Sequence, residues 1–140
     1  MDIIRATLPP TATGVLEILL HIDRLTLEKR RWRAAAEDGR EFGFDLETPL
    51  RDGAPFFHAG GATYLISQQP EPVLEISLTE PSDSARLGWQ IGNLHFSLQI
   101  VGNSIRVADD PALRRLFDRE QITYSGARRV YHPERRAHVH

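Results

Sequence analysis

The fold class is decided by residues 73–124, which read VLEISLTEPSDSARLGWQIGNLHFSLQIVGNSIRVADDPALRRLFDREQITY. Apolar residues that alternate predict a strand, whereas apolar residues spaced three or four apart predict a helix. The successive patterns are residues 73–78, Leu87 with Ile91 and Leu94, residues 96–100, Ile105 with Val107, Leu113 with Leu116 and Phe117, and Ile122 with Tyr124. They predict the order strand, helix, strand, strand, helix, strand, which is that of a ferredoxin-like βαββαβ domain.

Capping residues set the expected ends of the two helices. Ser82 predicts the N-cap of the first helix, and Gly92 predicts that this helix ends nearby. Asp109 or Asp110 predicts the N-cap of the second helix, with Pro111 in its first turn.

The chain before Pro70 follows a different pattern, of short strands separated by turn residues. Phe42, Phe44 and Leu46 alternate with polar residues or glycine, as in a half-buried strand. An Asp38-Gly39 pair just before them suits a tight hairpin turn. This half predicts a small all-β domain, either a barrel or a sandwich.

The expected class is therefore α+β, in three parts. A small all-β domain at residues 1–70 precedes a ferredoxin-like domain at residues 71–131. The chain becomes rich in arginine and histidine from Ser125 onward, and a flexible C-terminal tail is expected at residues 132–140.

Composition excludes several classes of protein. The chain has 140 residues, of which 41% are hydrophobic, and a formal net charge of −2. Because it has no global basic field, we expect it to bind neither nucleic acid nor an anionic membrane surface. No apolar stretch approaches the roughly 20 residues that cross a bilayer, and the first ten residues lack the apolar core of a secretory signal. A cytoplasmic protein is expected.

Histidines are the most informative candidate ligands, because cysteine is absent and thiolate metal sites are excluded. The six histidines are His21, His58, His95, His132, His138 and His140. Three of them fall in the last nine residues, and His138 and His140 are two residues apart, a spacing that can grip one ion.

His95 is the candidate ligand within the predicted ferredoxin-like domain. It follows Gly92-Asn93-Leu94 and is expected at the start of a strand, on the face opposite Phe96. Spacing alone favours a structural histidine there. One neutral imidazole is a good ligand for nickel, copper or zinc, but by itself it makes a poor site.

Residues 29–33, KRRWR, admit two interpretations. Basic residues interleaved with an aromatic residue are found in nucleic-acid sites. Charged residues also protect the edge of a sheet, and nearby acidic residues dilute the positive field, so we favour a charged strand. The sequence contains no phosphate-binding glycine loop, Gly-x-Ser-x-Gly elbow or His-Glu-x-x-His motif, which argues against an enzyme.

Several motifs, in order along nearly the full chain, resemble the UreE family of urease accessory proteins. Gly92-Asn93-Leu94-His95 is similar to the family's Gly-Asn-Arg-His motif, with leucine in place of arginine. The other matching segments are Asp23-Arg24, Lys29-Arg30-Arg31, Glu37-Asp38-Gly39-Arg40-Glu41, Leu50-Arg51-Asp52-Gly53, Tyr131-His132-Pro133-Glu134 and His138-Val139-His140.

The resemblance implies a nickel-binding metallochaperone that delivers nickel to the urease active site and is not an enzyme. His95 would be the principal metal ligand at the two-fold axis of a homodimer, and His138 and His140 would be secondary ligands. Zinc or copper could also bind these imidazoles. The resemblance also implies that the β domain at residues 1–70 binds partner proteins or peptides and that the domain at residues 71–131 binds the metal and dimerises. The implied partners are the urease accessory GTPase and the urease apoprotein complex. The alternative is a non-enzymatic protein-interaction scaffold of the maturation complex in which metal binding is incidental.

Overall fold

The first of two structural units is Met1–Gln69, and its described residues form six strands and one helical turn. The structure is a computed structural model that describes residues 1–10 and 15–134. The elements of this unit are β1 (Asp2–Ile4), β2 (Leu16–Ile22), α1 (Arg24–Leu27), β3 (Arg31–Ala35), β4 (Glu41–Asp45), β5 (Pro55–Ala59) and β6 (Ala62–Gln68).

The six strands form two sheets that share one apolar core. One sheet has the order β1-β4-β3 and the other the order β2-β6-β5. β3 and β4 form the predicted hairpin, in which Gly39 has a φ of 90° that glycine adopts readily. The buried side chains of the two sheets, among them Leu20, Phe42, Phe56 and Ile66, belong to a single cluster.

The helical turn α1 corrects the prediction that this unit is all-β. The Asp23 carboxylate accepts a hydrogen bond from the Thr26 N–H at 2.9 Å, which caps the turn. Leu27 on the same turn is buried in the core. A local cap and one buried side chain are enough to form the turn, although four residues are too few for a helical periodicity in the sequence.

The second unit is Pro70–His140, and it contains four strands and two helices within residues 70–134. Its elements are β7 (Glu71–Ser77), α2 (Pro81–Asn93), β8 (Gln99–Val101), β9 (Ser104–Ala108), α3 (Pro111–Arg119) and β10 (Ser125–Arg129). All neighbours in the sheet order β10-β7-β9-β8 are antiparallel. Apolar residues of α2 and α3 form one core with those of β7 and β9. The α+β class is therefore confirmed.

The predicted N-cap is confirmed for α3 and wrong for α2. The N-cap of α3 is Asp110, whose carboxylate accepts from the Ala112 N–H at 2.8 Å, as expected. The N-cap of α2 is Glu80, not Ser82. Pro81 explains the shift, because its fixed φ suits the first helical position and starts the helix earlier.

The last strand also lies later than predicted. Ile122 and Tyr124 precede β10 and are partly buried against the core, so their alternation marks packing in a connecting segment. β10 itself, with the sequence SGARR, is mostly exposed and forms an edge of the sheet. An edge strand needs no apolar alternation, which is why the pattern did not reveal it.

The chain after β10 is bound to the segment that leads into β8. Tyr131 is buried, and its hydroxyl donates to the Ser97 carbonyl at 3.1 Å. The N–H of Glu134 donates to the Leu98 carbonyl at 2.7 Å. The predicted tail therefore begins, in its described part, as a hydrogen-bonded segment. Its remainder, residues 135–140, lies outside the described residues.

The longest helix among the described residues is α2, with 13 residues. None of the described helices is both long and apolar enough to cross a membrane.

Candidate metal centre

His95 lies in the turn that ends α2. It follows the C-cap Leu94 and has a left-handed backbone with a φ of 64°. The His95 N–H donates to the Gly92 carbonyl at 2.9 Å, and the Phe96 N–H donates to the Ile91 carbonyl at 3.3 Å. These two bonds, with Phe96 and Ile91 in the same apolar cluster, define a Schellman motif.

This geometry corrects the prediction that His95 begins a strand. β8 starts only at Gln99. Phe96 and Leu98 are partly buried, whereas the side chain of Ile100, expected on the same face, is 61% exposed. The alternation of these residues arises from the packing of the connecting segment onto the core, and it does not report a strand.

The conformation of His95 is unfavourable for a residue with a side chain. The position after a C-cap is usually glycine, and a left-handed backbone costs other L-residues about 1–2 kcal/mol. His95 and Gln121 are the two non-glycine residues with positive φ in the described part of the chain. Strain of this kind is concentrated at functional sites. Because Gln121 shares it, the strain supports a role for His95 only together with the properties of the imidazole itself.

The His95 side chain is available to a ligand. The residue is exposed, and within residues 1–10 and 15–134 its ring takes part in no hydrogen bond or ion pair. It also lies at the C-terminal end of a 13-residue helix, where the helix dipole carries partial negative charge. Both features favour the approach of a cation.

Large apolar side chains are exposed on the elements that flank His95. Trp89 on α2 is 69% exposed and Leu94 is 42% exposed, while Ile100 and Val101 of β8 are 61% and 38% exposed. The sequence analysis did not single out Trp89. The available signal was its position two residues from both Leu87 and Ile91, which places it on the opposite face of a helix from that buried pair.

One chain does not provide a closed metal site in its described part. In residues 1–10 and 15–134, no three histidine, aspartate or glutamate side chains come close enough together to hold an ion. The predicted secondary ligands, His138 and His140, lie outside the described residues. His95 therefore supplies one imidazole and needs further ligands.

The histidines of the first unit have local partners instead. The His58 Nδ1 lies 2.9 Å from the Thr63 hydroxyl, and the His21 Nε2 lies 3.4 Å from a Glu37 carboxylate oxygen. These contacts are those of structural or solvated residues.

A network of charges holds the segment that leads to the C-terminal histidines. The Arg106 guanidinium donates two hydrogen bonds to one Glu75 carboxylate oxygen, at 2.9 and 3.1 Å, and a third to the Val130 carbonyl at 3.5 Å. Arg129 approaches the other Glu75 oxygen at 3.4 Å. The hydrogen bonds from Arg106 are the main reason that the pKa of Glu75 lies below its usual value. The bond to Val130 ties the chain just after β10 to Arg106 of β9.

Comparison with known proteins identifies one family. Residues 71–140 match the family model for the UreE urease accessory protein, C-terminal domain. This match covers all of the second unit except Pro70, and it includes His95.

Individual relatives extend the similarity into the first unit. The urease accessory protein UreE of Pseudomonas savastanoi is 25% identical over 141 aligned residues, which cover 99% of this chain and 84% of that protein. The protein of that name from Pseudomonas fluorescens is 27% identical, covering 84% of this chain and 72% of the relative. A third, from Nitrosococcus oceani, is 30% identical, covering 76% and 65% respectively.

Proposed function

Because this chain belongs to the UreE family of urease accessory proteins, we propose that it assists urease maturation as a chaperone that carries nickel and catalyses no reaction. Its relatives are named for an accessory role with urease. Nickel is the cargo of the chaperone and is handed on.

The observation that carries the proposal is the exposed imidazole of His95, which is held on a left-handed backbone at the end of α2. A glycine at this position would complete the same helix end without strain, so the structure does not explain the imidazole. The ring is exposed, lacks a partner in the described part of the chain and lies at the negative end of α2. A role as a metal ligand accounts for all of these features.

The missing ligands are proposed to come first from a second copy of the chain. A two-fold axis doubles every ligand and can bring two His95 side chains to one ion. The exposed side chains of Trp89 and Leu94 lie on the same helix and its end, and they would supply apolar contacts to such a dimer. We accordingly propose a homodimer held by apolar packing, with nickel bound at its axis.

His138 and His140 are proposed as secondary ligands on the basis of chain length. The N–H of Glu134 is bonded to the carbonyl of Leu98, three residues after His95. His138 follows Glu134 by four positions in the sequence, and an extended chain spans about 3.5 Å per residue. Both histidines can therefore reach His95 of the same chain, and ligands on a terminal segment can dissociate without unfolding the domain.

The remaining parts of the proposal concern fold and partners. The element order and the sheet order β10-β7-β9-β8 support a ferredoxin-like assignment for the second unit. A urease accessory GTPase and the urease apoprotein complex are the proposed recipients. Imidazoles also accept zinc and copper, so the choice of nickel depends on supply as well as on the site.

Nickel titration with light scattering tests the proposal. We expect a dimer with or without metal and one tight nickel per two chains. Binding should weaken as the pH falls, because imidazole must be neutral to coordinate a metal. A full equivalent per chain that persists after dilution to monomer would show that each chain encloses its own ion.

The absence of a three-ligand group from the described residues favours a second candidate, a protein-interaction scaffold whose metal binding is incidental. Equilibrium dialysis distinguishes the two, since a scaffold would retain no nickel at low micromolar concentration.

A further inference from the structure

We propose that a cavity in the second unit binds a small uncharged cyclic amide, a compound that carries N–H and C=O groups on an apolar ring. The cavity lies between the end of β7, one face of α2 and the segment that joins α3 to β10, and its volume is about 600 Å³. Cavities of this size are typical of sites for small molecules. His95 is not among its lining residues, so the proposal is independent of the proposed nickel site.

The hydrogen bonds of β7 show which of its backbone groups face the cavity. The Leu78 N–H donates to the Asn103 carbonyl at 2.7 Å, and the Asp109 N–H donates to the Pro72 carbonyl at 3.2 Å. Even-numbered positions of β7 therefore bond to β9 in this antiparallel pair. The N–H and C=O groups of its odd-numbered positions point to the other side, toward β10.

Pairing with β10 stops before β7 ends. The last pair is Glu75 with Ser125, although β7 continues to Ser77. The same register would place Thr123 opposite Ser77, but these two residues do not pair. Within residues 1–10 and 15–134, the backbone of Thr123 takes part in no hydrogen bond. Both residues line the cavity, and each offers it an N–H beside a C=O.

Two glutamine side chains add further amide groups to the lining. Gln90 is half-buried on α2, and Gln121 lies in the turn after α3. Neither side-chain amide forms a hydrogen bond with another residue in the described part of the chain. The left-handed backbone of Gln121, with a φ of 56°, costs about 1–2 kcal/mol. A contact between its amide and a ligand would account for this strain.

The charged and apolar parts of the lining favour an uncharged ligand with an apolar body. The acidic side chains at the cavity are Glu75, Asp83 and Glu120, and each has an arginine partner within 3.7 Å. Their charges are therefore already balanced and select no ion. Ile76 and Leu87, which are buried, supply apolar surface to the same cavity. A ring covers such surface while polar groups on its edge reach the amides.

A cyclic amide fits this lining better than a sugar does. Its adjacent N–H and C=O groups match the N–H and C=O of one extended residue, as the opposite residue does in an antiparallel pair. A sugar would instead place hydroxyl groups around its whole ring, against the apolar surface as well. Two sources share the chemistry of a cyclic amide, namely nucleobases and cyclic dipeptides.

NMR titration of the full-length protein tests the proposal with two neutral probes, uridine and a cyclic dipeptide of leucine and alanine. We expect at least one probe to bind with a Kd below about 1 mM and to shift the backbone amide resonances of Ser77 and Thr123. Binding of uridine alone would assign a nucleobase, and binding of the cyclic dipeptide alone a peptide-derived amide. The matched controls are the N-methylated forms of both probes, which should bind about tenfold more weakly because they lose the N–H donor.

Two substitutions place the probe in the cavity. Gln90→Leu and Gln121→Gly should each weaken binding about tenfold, because each removes one amide. Glycine suits the left-handed backbone, so the loss in Gln121→Gly would not reflect unfolding. Gln69→Leu, which changes an exposed glutamine of the first unit, should leave binding unchanged.

Four results would overturn the proposal. They are no binding of either probe, equal binding of the N-methylated forms, unchanged affinity in both cavity variants, and tighter binding of methyl glucoside than of the two probes. Nickel stoichiometry should be the same with and without a saturating probe, so this outcome and that of the nickel proposal can be distinguished.

Discussion

His95 and Gln121 occupy equivalent positions at the ends of the two helices of the second unit. Each is the first residue after a helix C-cap, with φ values of 64° and 56°. The backbone N–H of Gln121 donates to the Asp118 carbonyl at 3.2 Å, and the backbone N–H of Ile122 donates to the Phe117 carbonyl at 2.8 Å. These two bonds repeat the Schellman pattern found around His95. Gln121 therefore provides an internal control for every backbone effect of a substitution at His95.

Replacing either residue with glycine should stabilise the apoprotein. Glycine removes the strain of the left-handed backbone but adds conformational entropy to the unfolded chain. The first free-energy term exceeds the second by about 0.5–1 kcal/mol. We expect His95→Gly and Gln121→Gly to raise the free energy of unfolding by similar amounts, measured by urea denaturation at matched protein concentration. A loss of stability in His95→Gly alone would show that the imidazole supports the fold, and would remove strain as a sign of function.

The Glu75 network should make stability depend on pH. Hydrogen bonds from Arg106 hold the pKa of Glu75 below its usual 4.5. The ionised carboxylate therefore contributes its full stabilising free energy above about pH 4.5, and this stabilisation is lost as the pH falls through the lowered pKa. Glu75→Gln should lower the free energy of unfolding by about 1–2 kcal/mol at pH 7. Urea denaturation should show that the difference in the free energy of unfolding between Glu75→Gln and the unmodified protein becomes smaller from pH 7 to pH 3.

A more exposed ion pair serves as the control for that experiment. Arg86 lies 3.7 Å from Asp83, and both side chains are about two-thirds exposed. Arg86→Gln should change stability little at any pH, because exposed pairs contribute little. Equal effects of the two substitutions would contradict a special role for the Glu75 network.

Trp89 should be required for the proposed dimer. Its side chain is 69% exposed in the single chain, and burial of a tryptophan commonly contributes strongly to an interface. We expect Trp89→Ser to shift light scattering from dimer to monomer at micromolar concentration. Leu25→Ser removes a similarly exposed side chain, 64%, from the first unit and should leave the dimer intact. A dimeric Trp89→Ser protein would place the interface elsewhere.

The sequence predicted elements best where burial alternates along a strand. Phe42 and Phe44 point into the core of the first unit, and the hairpin at Gly39 formed as expected. The prediction was wrong at Phe96 and Leu98, where alternating residues pack a connecting segment against the core. It also missed β10, because this charged edge strand has no apolar pattern.

The sequence selected a candidate ligand but did not predict its conformation. His95 was selected through the resemblance of its motif, whereas spacing alone favoured a structural role. Its left-handed backbone is not predictable, because glycine or asparagine is expected at such a position and both occur just before it, at Gly92 and Asn93. The roles of His138 and His140 remain predictions, since both lie outside the described residues.

The central claim is that the His95 imidazole binds nickel, and calorimetric titration of three proteins side by side tests it most directly. The unmodified chain and Gln121→Gly should each bind one tight nickel per two chains. His95→Gly should lose the tight site while remaining folded and dimeric, because glycine preserves the helix end. Unchanged nickel affinity and stoichiometry in His95→Gly would contradict the account.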